Sequence, residues 1–198
     1  MKKQLRLSGS GGQGVITAAI LLAEAAVAEG KEAAQSQSYG PEARGGASKA
    51  EVIISDETIY HPHVETPDLV LAMTQKAADK YYSDLHKDGL LILDDSLVPE
   101  TPDFPRVVRL PITKLAVEEL GKALFANIVA LGALVRITGL VQLDTVKEFV
   151  KKRVPPHTVD ANMKALQLGW DVAANVQYKQ IVKPAGICFG AIYAACAY

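Results

Sequence analysis

Cysteine is nearly missing from this 198-residue chain, which has two, Cys188 and Cys196, both close to the C-terminal end. They form no C-x-x-C pair and have no histidine nearby, so no iron–sulfur cluster is expected on the chain itself. An excess of charge is missing too. Against 21 basic residues stand 22 acidic ones, so no general field favours nucleic acid or an anionic membrane, and any anion site must be local. No apolar leader precedes the first strand-like run; Met1-Lys2-Lys3-Gln4 leads straight into it, and a cytoplasmic location is expected. Internal repeats, low-complexity tracts and a linker long enough to separate one domain from another are likewise absent.

What is present is a chain with 49% hydrophobic residues, ample for one compact core, and one conspicuous run of glycine. Gly9-Ser10-Gly11-Gly12-Gln13-Gly14 follows the strand-like Leu5-Arg6-Leu7 and precedes an alanine-rich helical pattern from Val15 to Glu29. Gly9, Gly11 and Gly14 satisfy G-x-G-x-x-G, in which missing side chains permit a tight turn and let backbone N–H groups reach an anion at a helix N-terminus. Close strand-to-helix packing asks for the same residues. Gly30 stands where a left-handed helix cap belongs.

Further along, residues 31–38 and 48–54 look extended, and Ser55-Asp56-Glu57 reads as a turn into a short strand at Thr58-Ile59-Tyr60, a predicted hairpin. The apolar runs 69–73 and 90–93 read as buried parallel strands separated by a helix over about 75–86. A strand at 107–110 and helices at 112–120, 124–138, 143–153 and 159–178 complete the pattern, with Asp144 the expected cap of the third and Pro155-Pro156 its stop. The expected fold is a three-layer α/β/α domain over residues 1–180, with a mostly parallel Rossmann-like sheet, a hairpin insertion and a helix-rich C-terminal half. The tail 181–198 is apolar, too short in its uninterrupted part to span a membrane, and must be covered by this chain's core or by a partner.

A second special loop, Tyr39-Gly40-Pro41-Glu42-Ala43-Arg44-Gly45-Gly46, follows the predicted second strand, at the sheet edge where α/β proteins bind ligands. Arg44 offers a planar charged fork for phosphate or carboxylate, Gly45 and Gly46 allow close approach, and Pro41 stiffens the entry. A plain turn would explain the glycines and the proline but not Tyr39 and Arg44. GSGGQGV at 9–15, QSYGPEARGGASKAEVIIS at 37–55, PDLVLAM at 67–73 and NIVALGAL at 127–134 together closely resemble the gamma subunit of 2-oxoacid:ferredoxin oxidoreductases. The YGPEARGG form is similar to the branch acting on 2-oxoglutarate, pyruvate or branched-chain oxoacids.

The resemblance implies a multisubunit enzyme that oxidatively decarboxylates a 2-oxoacid, passes the electrons to ferredoxin and delivers the acyl group to coenzyme A as co-substrate. In that family thiamine diphosphate, Mg²⁺ and the iron–sulfur clusters sit mainly on alpha, beta and ferredoxin-like delta subunits. No cofactor is therefore expected to bind this chain tightly, and no catalytic residue is assigned to it. Gly9, Gly11, Gly12, Gln13, Gly14, Tyr39, Gly40, Pro41, Glu42, Arg44, Gly45 and Gly46 are the expected contacts to a ligand, an anion or a neighbouring subunit. Two other functions compete. A stand-alone nucleotide-binding oxidoreductase would normally end its second strand in Asp or Glu, whereas Ser36, Gln37 and Ser38 stand there and Glu32 lies at the opposite end. A noncatalytic assembly subunit would use the glycine loops for neighbouring chains alone.

Smaller constellations carry less. His61-Pro62-His63 lacks a third metal ligand at a recognisable spacing. Asp94 and Asp95 follow a strand and read as solvated turn carboxylates, with Mg²⁺ binding or proton sharing as the sharper alternative. Asn127 starts a helical run and is expected to cap it, or else to touch a ligand. Lys151-Lys152-Arg153 close a helix, where positive charge suits the dipole.

Overall fold

The computed structural model describes residues 1–38 and 46–174. Its first strand, β1 (Lys2–Ser10), turns Leu5 and Leu7 to one face of the sheet and Arg6 and Ser8 to the other. Helix α1 (Val15–Ala28) follows, and its end is a Schellman cap: Gly30 at φ 79° donates to the Val27 carbonyl, and Lys31 donates to that of Ala26. Strands β2 (Glu32–Gln37) and β3 (Ala47–Ser55) pair antiparallel. They are the hairpin of this fold. The hairpin expected at Thr58–Tyr60 does not form, because residues 56–60 leave the sheet without a strand partner.

Strands β4 (Leu69–Ala72), β5 (Leu90–Asp94) and β6 (Val107–Leu110) add in parallel, giving the order β2-β3-β1-β4-β5-β6. Five strands point one way and β3 runs against them, so the sheet is mostly parallel as predicted. Helix α2 (Gln75–Tyr81) is shorter than predicted and passes into a 3-10 turn at residues 82–84. There the chain bends so that Tyr81 and Asp84 both reach Arg6, the guanidinium lying 5.2 Å from the Tyr81 ring centre.

Helices α3 (Ile112–Leu120), α4 (Ala126–Thr138), α5 (Leu143–Arg153) and α6 (Val159–Ala174) join α1 over one face of the sheet. Among the described residues α2 alone covers the other face, with Tyr81, Leu85 and Val98 over the outer sides of β4 and β5. The three layers are present and lopsided. The larger core is closed by α4 lying against α6, where Gly132 and Gly169 bring two helix backbones together. Residues 175–178 of the predicted last helix, and the tail 181–198, lie outside the described residues.

Two expected roles change. Asp144 sits in the first turn of α5 and pairs with Lys147 at 3.0 Å rather than capping the helix; Glu29 serves that end, its carboxylate accepting from the Gln142 N–H at 2.6 Å. Asp94 is no solvated turn residue but wholly buried. It accepts from the Thr113 N–H at 3.1 Å, from the Thr113 hydroxyl and from the Ser96 N–H, so a carboxylate at the end of β5 caps α3, whose own Pro111 cannot. Asp95 is exposed, and so are His61 and His63. Arg153 ends α5 in an ion pair with Glu24 of α1.

Candidate functional site

The connection after β1 carries α1 to one face, whereas the connection after β4 carries α2 to the other. The crevice outside the carboxyl ends of β1 and β4 is thus the topological switch point, where open α/β sheets bind ligands. The glycine loop lies there. Gly9 ends the buried part of β1, Gly11 and Gly12 are exposed, and Gly14 at φ 72° turns the chain into α1 with no side-chain cap on the helix. The N-terminal N–H groups of α1 have no side-chain cap, and the first turn carries no acidic side chain.

Two amides hold this loop from inside. The Gln13 Oε1 accepts from the Ser10 N–H at 2.7 Å and its Nε2 donates to the Met73 carbonyl at 3.4 Å, bridging the ends of β1 and β4. A Cβ at Gly9 would push that amide out of its bridge, while standing in ordinary contact with the Met73 Cβ at 3.4 Å. The Asn127 Nδ2 donates to the Gly14 carbonyl at 3.2 Å, while its Oδ1 accepts from the Ile128 N–H at 3.0 Å. Asn127 is not the helix cap expected of it, since the cap position of α4 is Phe125, with no side-chain cap bond; from inside the first turn it accepts from the next N–H and ties the start of α4 to the start of α1. The sequence signal for the Gln13 bridge is its place inside the glycine run. For the Asn127–Gly14 bond, which spans 113 residues, no local signal exists.

Register brings the described end of the second loop, Gly46, alongside. Ser10 pairs with Ala47, so Gly46 enters β3 directly beside the glycine loop. The Tyr81 hydroxyl donates to the Ala47 carbonyl at 3.0 Å and holds that corner to α2. Tyr39, Gly40, Pro41, Glu42, Arg44 and Gly45 lie outside the described residues. The backbone of a glycine loop can bind an anion or a neighbouring backbone. Among the described residues no group of three or more His, Cys, Asp or Glu is placed to hold a metal ion.

A dinucleotide reading fares poorly on this geometry. The Gln13 amide occupies the crevice between β1 and β4, and β2 ends in Ser36-Gln37 with Glu32 at its far end. Gly14 gives the loop a clear test. Alanine at Gly14 must adopt a strained left-handed φ and also push on the Asn127 amide, whose Cγ would lie 3.0 Å away; alanine at Gly12, φ 88°, meets open space. Gly14→Ala is expected to cost about 2–3 kcal/mol and Gly12→Ala about 1–2 kcal/mol. Urea denaturation checks the ordering, and equal losses would mean that Asn127 does not hold the loop.

Comparison with known proteins agrees with this arrangement of strands and loops. A family model described as pyruvate ferredoxin/flavodoxin oxidoreductase matches residues 4–172. The chain belongs to that family. Within it, the chain is 45% identical to the 2-oxoglutarate synthase subunit KorC of Methanocaldococcus jannaschii, over 87% of this chain and 95% of the relative. The pyruvate synthase subunit PorC of Methanothermobacter marburgensis is 32% identical, over 85% of this chain and 96% of its own. A crystal structure of the keto/oxoacid ferredoxin oxidoreductase gamma subunit from Geobacter sulfurreducens superposes with a TM-score of 0.80 at 45% identity, covering 88% of this chain and 99% of that one. This chain is accordingly a gamma subunit of the 2-oxoacid:ferredoxin oxidoreductase family, within a multisubunit oxidoreductase. No helix among the described residues is long and apolar enough to cross a membrane.

Proposed function

We propose that this gamma subunit serves an enzyme that oxidatively decarboxylates 2-oxoglutarate, joins the acyl group to coenzyme A and passes the electrons to ferredoxin. The observation that carries the choice of oxoacid is the gradient of likeness: 45% identity to a 2-oxoglutarate synthase subunit against 32% to a pyruvate synthase subunit over similar spans. Thiamine diphosphate with Mg²⁺ and the iron–sulfur clusters reside on alpha, beta and ferredoxin-like delta partners. A chain with two cysteines has too few thiolates for a Cys₄ cluster, which supports that division. The contribution of this chain is positional. Gly9, Gly11, Gly12 and Gly14 with Gly46 form a backbone surface at the switch point, and these glycines, with Tyr39, Gly40, Pro41, Glu42, Arg44 and Gly45, are the contacts to anionic groups of coenzyme A or substrate, or to a neighbouring subunit. Residues 1–180 act as one domain, and the enzyme works in the cytoplasm.

Co-expression with the partner chains and assay of viologen-dye reduction tests this reading. Activity is expected with 2-oxoglutarate and coenzyme A, at least about tenfold above that with pyruvate in kcat/KM, and lost when this chain is omitted. Preference for pyruvate overturns the oxoacid assignment, and full activity without this chain overturns its role. Arg44→Ala is expected to raise the coenzyme A or oxoacid requirement with the complex intact. Dissociation of the complex instead assigns the loop to assembly alone.

A further inference from the structure

The ladder between β1 and β4 runs in parallel register, with Ser8 opposite Ala72, and beyond that pair the Met73 N–H still donates to the Ser8 carbonyl at 2.9 Å. Carried one step further, a parallel ladder would send the Ser10 N–H to the Met73 carbonyl. The Gln13 amide stands in the place of that bond. Its Oε1 accepts from the Ser10 N–H at 2.7 Å and its Nε2 donates to the Met73 carbonyl at 3.4 Å, so a side-chain amide is inserted into the ladder as a peptide group would be. The two strands are wedged apart where they leave the sheet.

The same residue closes the turn. The Gln13 N–H donates to the Ser10 carbonyl at 3.3 Å, so both backbone groups of Ser10 are bonded to Gln13. Between those residues lie Gly11 and Gly12, both exposed, the second at φ 88°. Gly9 makes the room, since a Cβ there would displace the amide. The start of α1 is held separately, by Asn127 on the Gly14 carbonyl. A change at Gln13 therefore loosens the tip of the loop and leaves its far end tied.

We propose that Gln13, expected from sequence to be a contact, is a positioning residue: its amide keeps the carboxyl ends of β1 and β4 apart and so sets where the Gly11–Gly12 turn meets a phosphate of coenzyme A, without touching it. This rests on the proposed function, in which the glycine surface meets an anion. Successive peptide N–H groups at a glycine turn make a concave donor set suited to a tetrahedral oxyanion, which selects a phosphate over the planar carboxylate of the oxoacid. Without the wedge, the direct bond from Ser10 to Met73 forms and draws the turn towards β4. A misplacement of about 1 Å is enough to cost a site much of its effect.

The test uses the complete complex, co-expressed with its partner chains, with coenzyme A as the varied substrate in the viologen assay. Gln13→Ala is expected to raise KM for coenzyme A at least about tenfold, while kcat and KM for 2-oxoglutarate move less than about twofold. Gln13→Glu is expected to share the defect at neutral pH, because a carboxylate still accepts from Ser10 but meets the Met73 carbonyl with no proton to give, and to shed it as the pH falls and the carboxyl regains its hydrogen. Gly9→Ala evicts the amide from the other side. It is expected to raise the same KM, and to add less than about twofold in a chain that already carries Gln13→Ala. An unchanged KM for coenzyme A in Gln13→Ala, equal losses in kcat and in every KM, a Gln13→Glu defect that ignores pH, or effects of Gly9→Ala and Gln13→Ala that multiply would each overturn the proposal. So would dissociation of the complex in both single variants, which assigns the amide to assembly. Failure of the proposed function itself shows differently, as a parent complex whose turnover requires neither coenzyme A nor this chain.

Discussion

Gly169→Ala is expected to destabilise the chain by about 3 kcal/mol, roughly 6–12 °C in melting temperature, although it adds a single methyl group to a helix that alanine favours. The new Cβ would collide with the Val129 carbonyl oxygen and would lie 2.7 Å from its carbon and 2.9 Å from the Ala133 nitrogen. These are backbone atoms in the middle of α4, so no rotamer change can make room. Gly132 faces the same contact from the other side, its Cβ meeting the Leu166 carbonyl and lying 3.0 Å from the Trp170 nitrogen, and Gly132→Ala is expected to cost a similar amount. Gly121→Ala is the control: its φ of 74° is strained for alanine but nothing lies within 4 Å, and about 1–2 kcal/mol is expected. Differential scanning calorimetry of the three variants reads the comparison. A Gly169→Ala loss no larger than that of Gly121→Ala would show that α4 and α6 do not touch backbone to backbone.

The second large effect centres on Arg6, which is 3% exposed on the face of the sheet that carries α2. Its Nε donates to Glu51 at 2.8 Å, its Nη1 reaches Asp84, its Nη2 lies 3.4 Å from the Val64 carbonyl and its plane sits by the Tyr81 ring. Glu51 also accepts from Lys49 at 2.9 Å. One side chain in β1 therefore joins β3, the end of α2 and the chain leading to β4. Arg6→Met is expected to cost about 3 kcal/mol, because it leaves a mostly buried Glu51 without its best partner, whereas removing both charges removes the penalty as well. Adding Glu51→Leu to Arg6→Met should recover at least about half of the loss by the logic of a double-mutant cycle. Urea unfolding of the two single variants and the double variant measures it. Strictly additive losses would assign Arg6 to packing under Tyr81 rather than to charge pairing.

Much of this architecture follows from short-range chemistry. The apolar runs at 69–72 and 90–93 are strands because each is too short for a helix and buried on both faces, and α1 ends at Gly30 because that residue alone tolerates the left-handed turn of its cap. The misplaced hairpin has a physical reason. Ser-Asp-Glu at 55–57 has turn chemistry, but β3 spends its pairing on β1 and β2, one on each side, so Thr58–Tyr60 finds no free edge. Asp94 departs from expectation because a carboxylate after a strand normally meets water; here the start of α3 comes back over it and supplies donors from Thr113, 19 residues away.

By itself the sequence determined the fold class, the glycine loop and the family, since each depends on neighbouring residues: hydrophobic period, glycine spacing, and two loops of unusual composition. Tertiary structure alone decided what holds that loop and what lies beside it. Gln13 meets Met73 across 60 residues, Asn127 meets Gly14 across 113, and Gly46 stands beside Ser10 through the register of β3 on β1. The lopsided layers, the glycine contact between α4 and α6 and the buried Arg6 network belong to the same class. Each is a meeting of groups far apart in the chain, and its energy comes from burial that exists only once the sheet has formed.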